Sequence, residues 1–160
     1  MMTNLEPALS YMIRADCRVH LGTQVISTCF ARLEDRNPGR FIMARIFFIV
    51  NDPPYGTERA YNALRLAINI TKKDQSAELR MFLVGDAASC AKSGQTVTQG
   101  YYNIETMLKA VARGGCTVGV CSTCMDARGL KDTDLVEGTR RSSLNEMTEW
   151  TLWADKVLVF

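Results

Sequence analysis

Six cysteines and a single histidine delimit the chemistry open to this chain. Two of the thiols, Cys121 and Cys124, are three positions apart, where the apolar run Cys116-Thr117-Val118-Gly119-Val120 gives way to Ser122-Thr123 and a polar stretch closed by Gly129. A strand that stops there and a helix that starts there would set the Cys121 sulfur against unpartnered backbone amides, a setting that lowers a thiol's pKa. A thiol ionised in this way acts as a nucleophile, or carries a persulfide sulfur, without any histidine. The competing reading makes Cys121 a small apolar residue that ends a buried strand. Cys124, about one helical turn on, would share a face with Cys121 and lie within reach of a disulfide. A pair of this spacing opening a helix is also the thioredoxin arrangement, but no hairpin pattern accompanies it here.

Other thiol and histidine chemistry is excluded by position. The only histidine, His20, precedes the regular part of the chain, so residues 43–160 cannot build a Ser-His-Asp triad, a Cys-His dyad or a His-containing zinc site unless His20 folds back to supply one. Cys116 and Cys121 on one extended strand would be about 16 Å apart with side chains on opposite faces, so they cannot share a metal. Cys90 would bring the pair to only three ligands, and no metal is expected. Cys116 reads as core, Cys17 and Cys29 as bystanders, and Cys90 as a loop residue that could approach the pair. Asp126 and Arg128 read as an ion pair around the short helix. No GxGxxG or GxxxxGK pattern is present for nucleotide phosphates, and no cofactor is expected.

The elements that must hold these thiols emerge from the chain's texture. With 160 residues, 47% apolar and 22% charged at net +2, the sequence fits one ordinary globular domain. The longest apolar run, Ile46 to Val50, is far short of the roughly twenty residues a membrane span needs. No lysine or arginine stripe argues for nucleic acid. Six cysteines without a secretory h-region argue for a reducing compartment, and the cytoplasm is expected. Residues 1–42 show no sustained periodicity and end in the breaker-rich Glu34-Asp35-Arg36-Asn37-Pro38-Gly39-Arg40. They are expected to be a poorly ordered N-terminal extension arising from an upstream translation start; the alternative is a short helix near Pro7 to Arg14 that packs on the domain.

From Met43 to Phe160 strands and helices alternate. Ile46 to Val50 reads as a strand buried on both faces and stops at Asn51-Asp52-Pro53-Pro54. Gly56 or Thr57 would cap a helix whose inner stripe is Ala60, Leu64, Ala67 and Ile68. Glu78 to Val84 reads as the second strand, halting at Gly85-Asp86, and a long loop runs on to about Gly100. Asn103 opens a helix closed by Gly114-Gly115. After the Cys116 to Val120 strand and the short helix, Asp134 to Gly138 reads as a turn. Ser142 or Ser143 caps a helix with Leu144, Met147 and Trp150 or Thr151 inside, and Lys156 to Phe160 is a last strand. Trp150 and Trp153 read as packing or subunit contact. This order implies an α/β fold: a mostly parallel sheet of four to five strands flanked by helices on both faces. Ligands and catalysis in such sheets sit at the strands' carboxyl ends. The candidate site therefore comprises Cys121 and Cys124 as the reactive pair, lined by Asn51, Asp52, Tyr55, Gly85, Asp86, Ser122 and Thr123.

Three segments taken together, Asn51-Asp52-Pro53-Pro54-Tyr55-Gly56-Thr57-Glu58-Arg59-Ala60-Tyr61-Asn62, Phe82-Leu83-Val84-Gly85-Asp86 and Val118-Gly119-Val120-Cys121, resemble the DsrE/DsrF-like family that includes sulfur-relay proteins. The resemblance covers residues 43–160 and none of residues 1–42. It implies a small Rossmann-like domain that assembles into homotrimers or homohexamers, with one cysteine receiving sulfur as a persulfide from a donor protein and passing it to an acceptor. The matching position is Cys121. Cys124 falls where relay members usually have no second cysteine, which implies a branch whose pair is redox-active or resolving. The sequence thus supports three readings: a persulfide relay, a non-catalytic oligomeric module that binds a ligand or partner, and a dithiol oxidoreductase. Whether the protein is an enzyme stays open among them.

Overall fold

The computed structural model describes residues 43–160, and the extension expected over residues 1–42 lies outside them. Five strands, β1 (Arg45–Val50), β2 (Glu78–Leu83), β3 (Thr117–Cys121), β4 (Thr139–Ser142) and β5 (Lys156–Val159), form one sheet in the order β4-β3-β2-β1-β5. Every neighbouring pair is parallel. Helices α1 (Arg59–Lys73), α2 (Ile104–Arg113), α3 (Ser122–Asp126) and α4 (Leu144–Trp153) occupy the crossovers that parallel strands require. This is the Rossmann-like α/β arrangement the pattern implies.

Alternation along the strands divides the apolar residues between two cores. Phe48, Val50, Met81, Leu83, Val118 and Val120 face one way, into a core shared with Leu64 of α1 and Leu108 of α2. Phe47 and Phe82 face the other way, beneath Trp150 of α4. The Trp150 ring meets both phenylalanines edge-on, with centroids 5.8 and 6.0 Å away, the geometry that aromatic quadrupoles favour. Gly119 makes room for it: a Cβ there would lie 3.0 Å from Ser142 Cβ and 3.1 Å from Trp150 Cη2. Trp153 stays near the surface with the Arg80 guanidinium 3.8 Å above its ring.

The starts of the three longer helices follow local chemistry in two cases. The Asn103 side chain accepts from the Thr106 amide, and the Ser143 hydroxyl from that of Glu146. The first helix departs from the expected cap. Thr57 gives its hydroxyl to Asp52 Oδ2 at 2.7 Å, and α1 begins two residues later behind Glu58 with no side-chain cap.

Three further departures have packing causes. The loop expected from Asp86 to Gly100 is half ordered into a 3₁₀ segment, Gly85–Ala91, with Ala87, Ala88, Cys90 and Ala91 buried. Such small side chains let the backbone lie directly on the core. Gln95 ties down the rest of the loop, accepting the Tyr55 hydroxyl at 2.8 Å and donating to the carbonyls of Cys90 and Lys92. Thr139–Ser142 forms β4, where sequence alone suggests only the preceding turn. Leu144, placed inside by periodicity, is 71% exposed, and Trp150 alone among α4 residues is buried.

Candidate functional site

Because all five strands are parallel, the carboxyl ends of β1, β2 and β3 open side by side at one edge of the sheet. Asn51, Gly85 and Cys121 stand there on adjacent strands or just beyond them. The Asn51 carbonyl accepts the Ala87 amide at 3.0 Å, joining the first two strand ends. Gly85 turns the chain with φ of +61°, a left-handed conformation that costs glycine little, and its amide donates to Cys124 Sγ at 3.2 Å. The second and third strand ends are thereby joined through a sulfur.

Cys121 ends β3 and α3 begins at the next residue, so the helix's first amides rise beside its side chain. Cys121 as a residue is partly exposed and packs at the margin of the Phe47–Phe82–Trp150 cluster. The sulfur's contact with Thr123 Oγ1 is 3.2 Å. Partial burial opposes ionisation most strongly as a single influence. The Thr123 hydroxyl, the Cys124 amide, the Cys124 thiol and the Thr123 amide outweigh it together, so the Cys121 pKa falls below the ordinary thiol value.

Cys124 is also partly exposed, yet its pKa moves the other way. Burial raises it first and the neighbouring Cys121 adds to this, while the Gly85 amide pulls in the opposite direction. The pair is thus asymmetric, with a more acidic thiol at Cys121 and a thiol that keeps its proton at Cys124. Two other cysteines contrast with them. Burial pushes both Cys90 and Cys116 up to about 12, which makes them inert near neutral pH. Cys116, just before β3, is therefore core, as expected. Cys90 does not approach the pair, because the 3₁₀ segment turns its sulfur inward, 3.7 Å from the Asp52 carbonyl.

The remaining candidates divide by what they touch. Thr123 and Gly85 contact the two sulfurs directly. The Ser122 carbonyl accepts from Arg141 Nη1 at 3.4 Å, and the Asp86 carboxylate pairs with Arg128 at 2.5 Å. Asn51 and Asp52 build the mouth with their side chains engaged away from the sulfurs: Asn51 Nδ2 donates to the Phe160 carbonyl, and Asp52 holds Thr57. Tyr55 is turned toward α2, its hydroxyl 3.4 Å from the Ile104 amide and its ring stacked on Tyr102.

Asp126 and Arg128 do not pair with each other. Arg128 crosses to Asp86, and Asp126 receives Arg141, which also holds Asp132. These partners are remote in sequence, and local reading missed Arg141 altogether. Among the described residues no group of three or more His, Cys, Asp or Glu side chains is placed to hold a metal ion. None of their helices is long and apolar enough to cross a membrane.

Comparison with known proteins gives a consistent result. The model of the DsrE/DsrF-like family matches residues 44–160. Protein YchN of Escherichia coli K12 is 40% identical over 118 residues, which is 74% of this chain and the whole of YchN. An uncharacterized protein of Methanocaldococcus jannaschii is 35% identical over 112 residues, 70% of this chain and 96% of its own. The crystal structure of E. coli ychN superposes with a TM-score of 0.71 over the same 74% of this chain and all of its own. A protein of unknown function from Methanobacterium thermoautotrophicum, 13% identical, shares the fold at a TM-score of 0.61 over 73% of this chain and 99% of its own.

Proposed function

We propose that this chain, which belongs to the DsrE/DsrF-like family, carries sulfane sulfur as a persulfide on Cys121 and passes it to an acceptor thiol. The observation that supports this most is the place of a partly exposed Cys121 at the end of β3, directly before α3 and with its sulfur 3.2 Å from Thr123 Oγ1. The Cys121 thiolate attacks the outer sulfur of a donor persulfide. A sulfur–sulfur bond forms to Cys121, the donor's own sulfur–sulfur bond breaks, and the donor leaves as a thiolate. Transfer onward repeats the exchange, with the acceptor thiolate attacking the terminal sulfur and Cys121 leaving. A low-pKa thiol suits both halves, since it is ionised for the attack and departs readily afterward.

Cys124 gives the loaded state a second exit. Its thiolate attacks Cys121 Sγ, forming the Cys121–Cys124 disulfide and expelling hydrosulfide. The two cysteines are oxidised and the sulfane sulfur is reduced, and an external dithiol must then reduce the disulfide and be oxidised in its place. The raised pKa of Cys124 keeps this exit slow while an acceptor is present. The functional unit is a homotrimer or homohexamer in the cytoplasm, served by donor and acceptor proteins. Incubation with a cysteine desulfurase and labelled sulfur, followed by peptide mass analysis, should add about 32 Da to Cys121. Absence of the adduct while a known carrier loads would refute the reading.

The three-residue spacing of two free, partly exposed cysteines favours one alternative, a dithiol oxidoreductase. That reading predicts a Cys121–Cys124 disulfide in equilibrium with a glutathione couple and no mass gain from the desulfurase.

A further inference from the structure

We propose that Arg128 is a positioning residue for Cys124, its guanidinium fastening the start of the 3₁₀ segment to α3 and so holding the Gly85 amide on the Cys124 sulfur. This rests on the reading that the cysteine pair does the chemistry. The geometry is a closed ring. Arg128 Nη1 donates to the Cys124 carbonyl at 3.0 Å, and Nη2 reaches Asp86 Oδ1 at 2.5 Å. Asp86 is the residue after Gly85, whose amide returns to Cys124 Sγ at 3.2 Å. One guanidinium therefore grips both segments that meet at this sulfur, one by a backbone carbonyl and the other by a carboxylate next to the donating amide.

An exposed ion pair contributes little stability by itself, and the Asp86 side chain is 67% exposed. The pairing is better explained by placement. A planar, forked cation fixes the relative position of two partners where a lysine's point charge would not. The fold of α3 has an independent anchor, since Met125 between the two contacts is fully buried in the core. Removing the guanidinium should therefore loosen the clasp while α3 stays seated. Other charged groups facing this end are mutually paired: Arg141 of β4 holds Asp126 and Asp132 and the Ser122 carbonyl. The contact that Cys121 Sγ makes with Thr123 Oγ1 does not involve Arg128.

The clasp should act on Cys124 more than on Cys121. In Arg128→Ala, Cys124 loses its amide donor and is alkylated about threefold to tenfold more slowly at pH 8, by the tenfold-per-pKa-unit relation applied to one weakened hydrogen bond. Cys121, whose sulfur contacts Thr123 Oγ1, changes less. The experiment is residue-resolved iodoacetamide alkylation across pH on the full-length protein, for wild type, Arg128→Ala, Arg128→Lys, Asp86→Asn and the Arg128→Ala/Asp86→Asn double variant. An upward shift of the Cys124 profile is expected in both single substitutions to neutral residues, with no further shift in the double and no rescue by lysine, which cannot make both contacts at once. Unchanged Cys124 profiles, or equal shifts at Cys121 and Cys124 with a matching fall in Tm, would overturn it. Alkylation needs no sulfur donor, so a wild-type protein that fails to load persulfide counts against the relay alone.

Discussion

Replacing Gly119 by alanine tests how the α4 side of the sheet is packed. The added methyl would sit 3.0 Å from Ser142 Cβ, 3.1 Å from Trp150 Cη2 and 3.2 Å from Ser142 Oγ. None of these neighbours yields easily. Trp150 is held edge-on by Phe47 and Phe82, and the Ser142 hydroxyl is bonded to Glu146. Overpacking of this kind costs about 1–3 kcal/mol, and the reduced freedom of the unfolded chain returns roughly 0.5 kcal/mol. The net loss of about 0.5–2.5 kcal/mol corresponds to a fall in Tm of roughly 2–10 °C for a domain of this size. Thermal unfolding followed by tryptophan fluorescence and far-ultraviolet circular dichroism reads it directly. In a double-mutant cycle with Trp150→Phe the two substitutions should be less than additive, because the shorter ring vacates part of the methyl's space. An unchanged or higher Tm in Gly119→Ala, or strict additivity in the cycle, would refute the close approach of α4 to the strand that ends in Cys121.

Other expectations concern the thiols and one carboxylate. Peptide-resolved alkylation near pH 8 should modify Cys121 first and Cys124 later, leaving Cys90 and Cys116 unmodified until the fold opens, as their pKa near 12 requires. Cys124→Ala removes one of the donors that acidify Cys121, so the Cys121 alkylation profile should move to higher pH; movement to lower pH would contradict the assignment. The Glu146 pKa is held below the ordinary 4.5 by Arg140, against the effect of burial and with help from Ser142. A carboxylate depressed in the fold contributes stability that is present above its unfolded pKa and disappears as pH falls through the folded one. Glu146→Gln should therefore lower Tm at pH 7 by the equivalent of about 1 kcal/mol and flatten the acid limb of the stability curve, whereas an acid limb as steep as wild type would reject the pairing.

The placement of the candidate site was legible in the sequence to the extent that it depends on strand ends. Asn51, Gly85 and Cys121 each end or come just after a short apolar run, and in a parallel sheet those three positions must open on one edge. Contacts made across long sequence distances were not legible. Arg128 reaches Asp86 over 42 positions, and local spacing instead suggested Asp126, which belongs to Arg141. Cys90 carries no sign of its burial, because the 3₁₀ segment around it is built from alanines that look like loop filler and pack as core. The strand Thr139–Ser142 lies at the sheet's edge and is built from Thr-Arg-Arg-Ser, a composition without the apolar run that marks a buried strand. Leu144 has the right period for an inward position, yet the α4 side of the sheet is filled largely by one tryptophan.

The reactivity assigned to Cys121 is tested most directly by its acid–base behaviour together with its cargo. Wild type, Cys121→Ser and Cys124→Ser should be loaded with labelled sulfur from a cysteine desulfurase and analysed peptide by peptide. Label is expected on Cys121 in wild type, none in Cys121→Ser, and longer-lived label in Cys124→Ser because hydrosulfide release is blocked. Label confined to Cys124, or undiminished in Cys121→Ser, would contradict the reactivity assigned to Cys121.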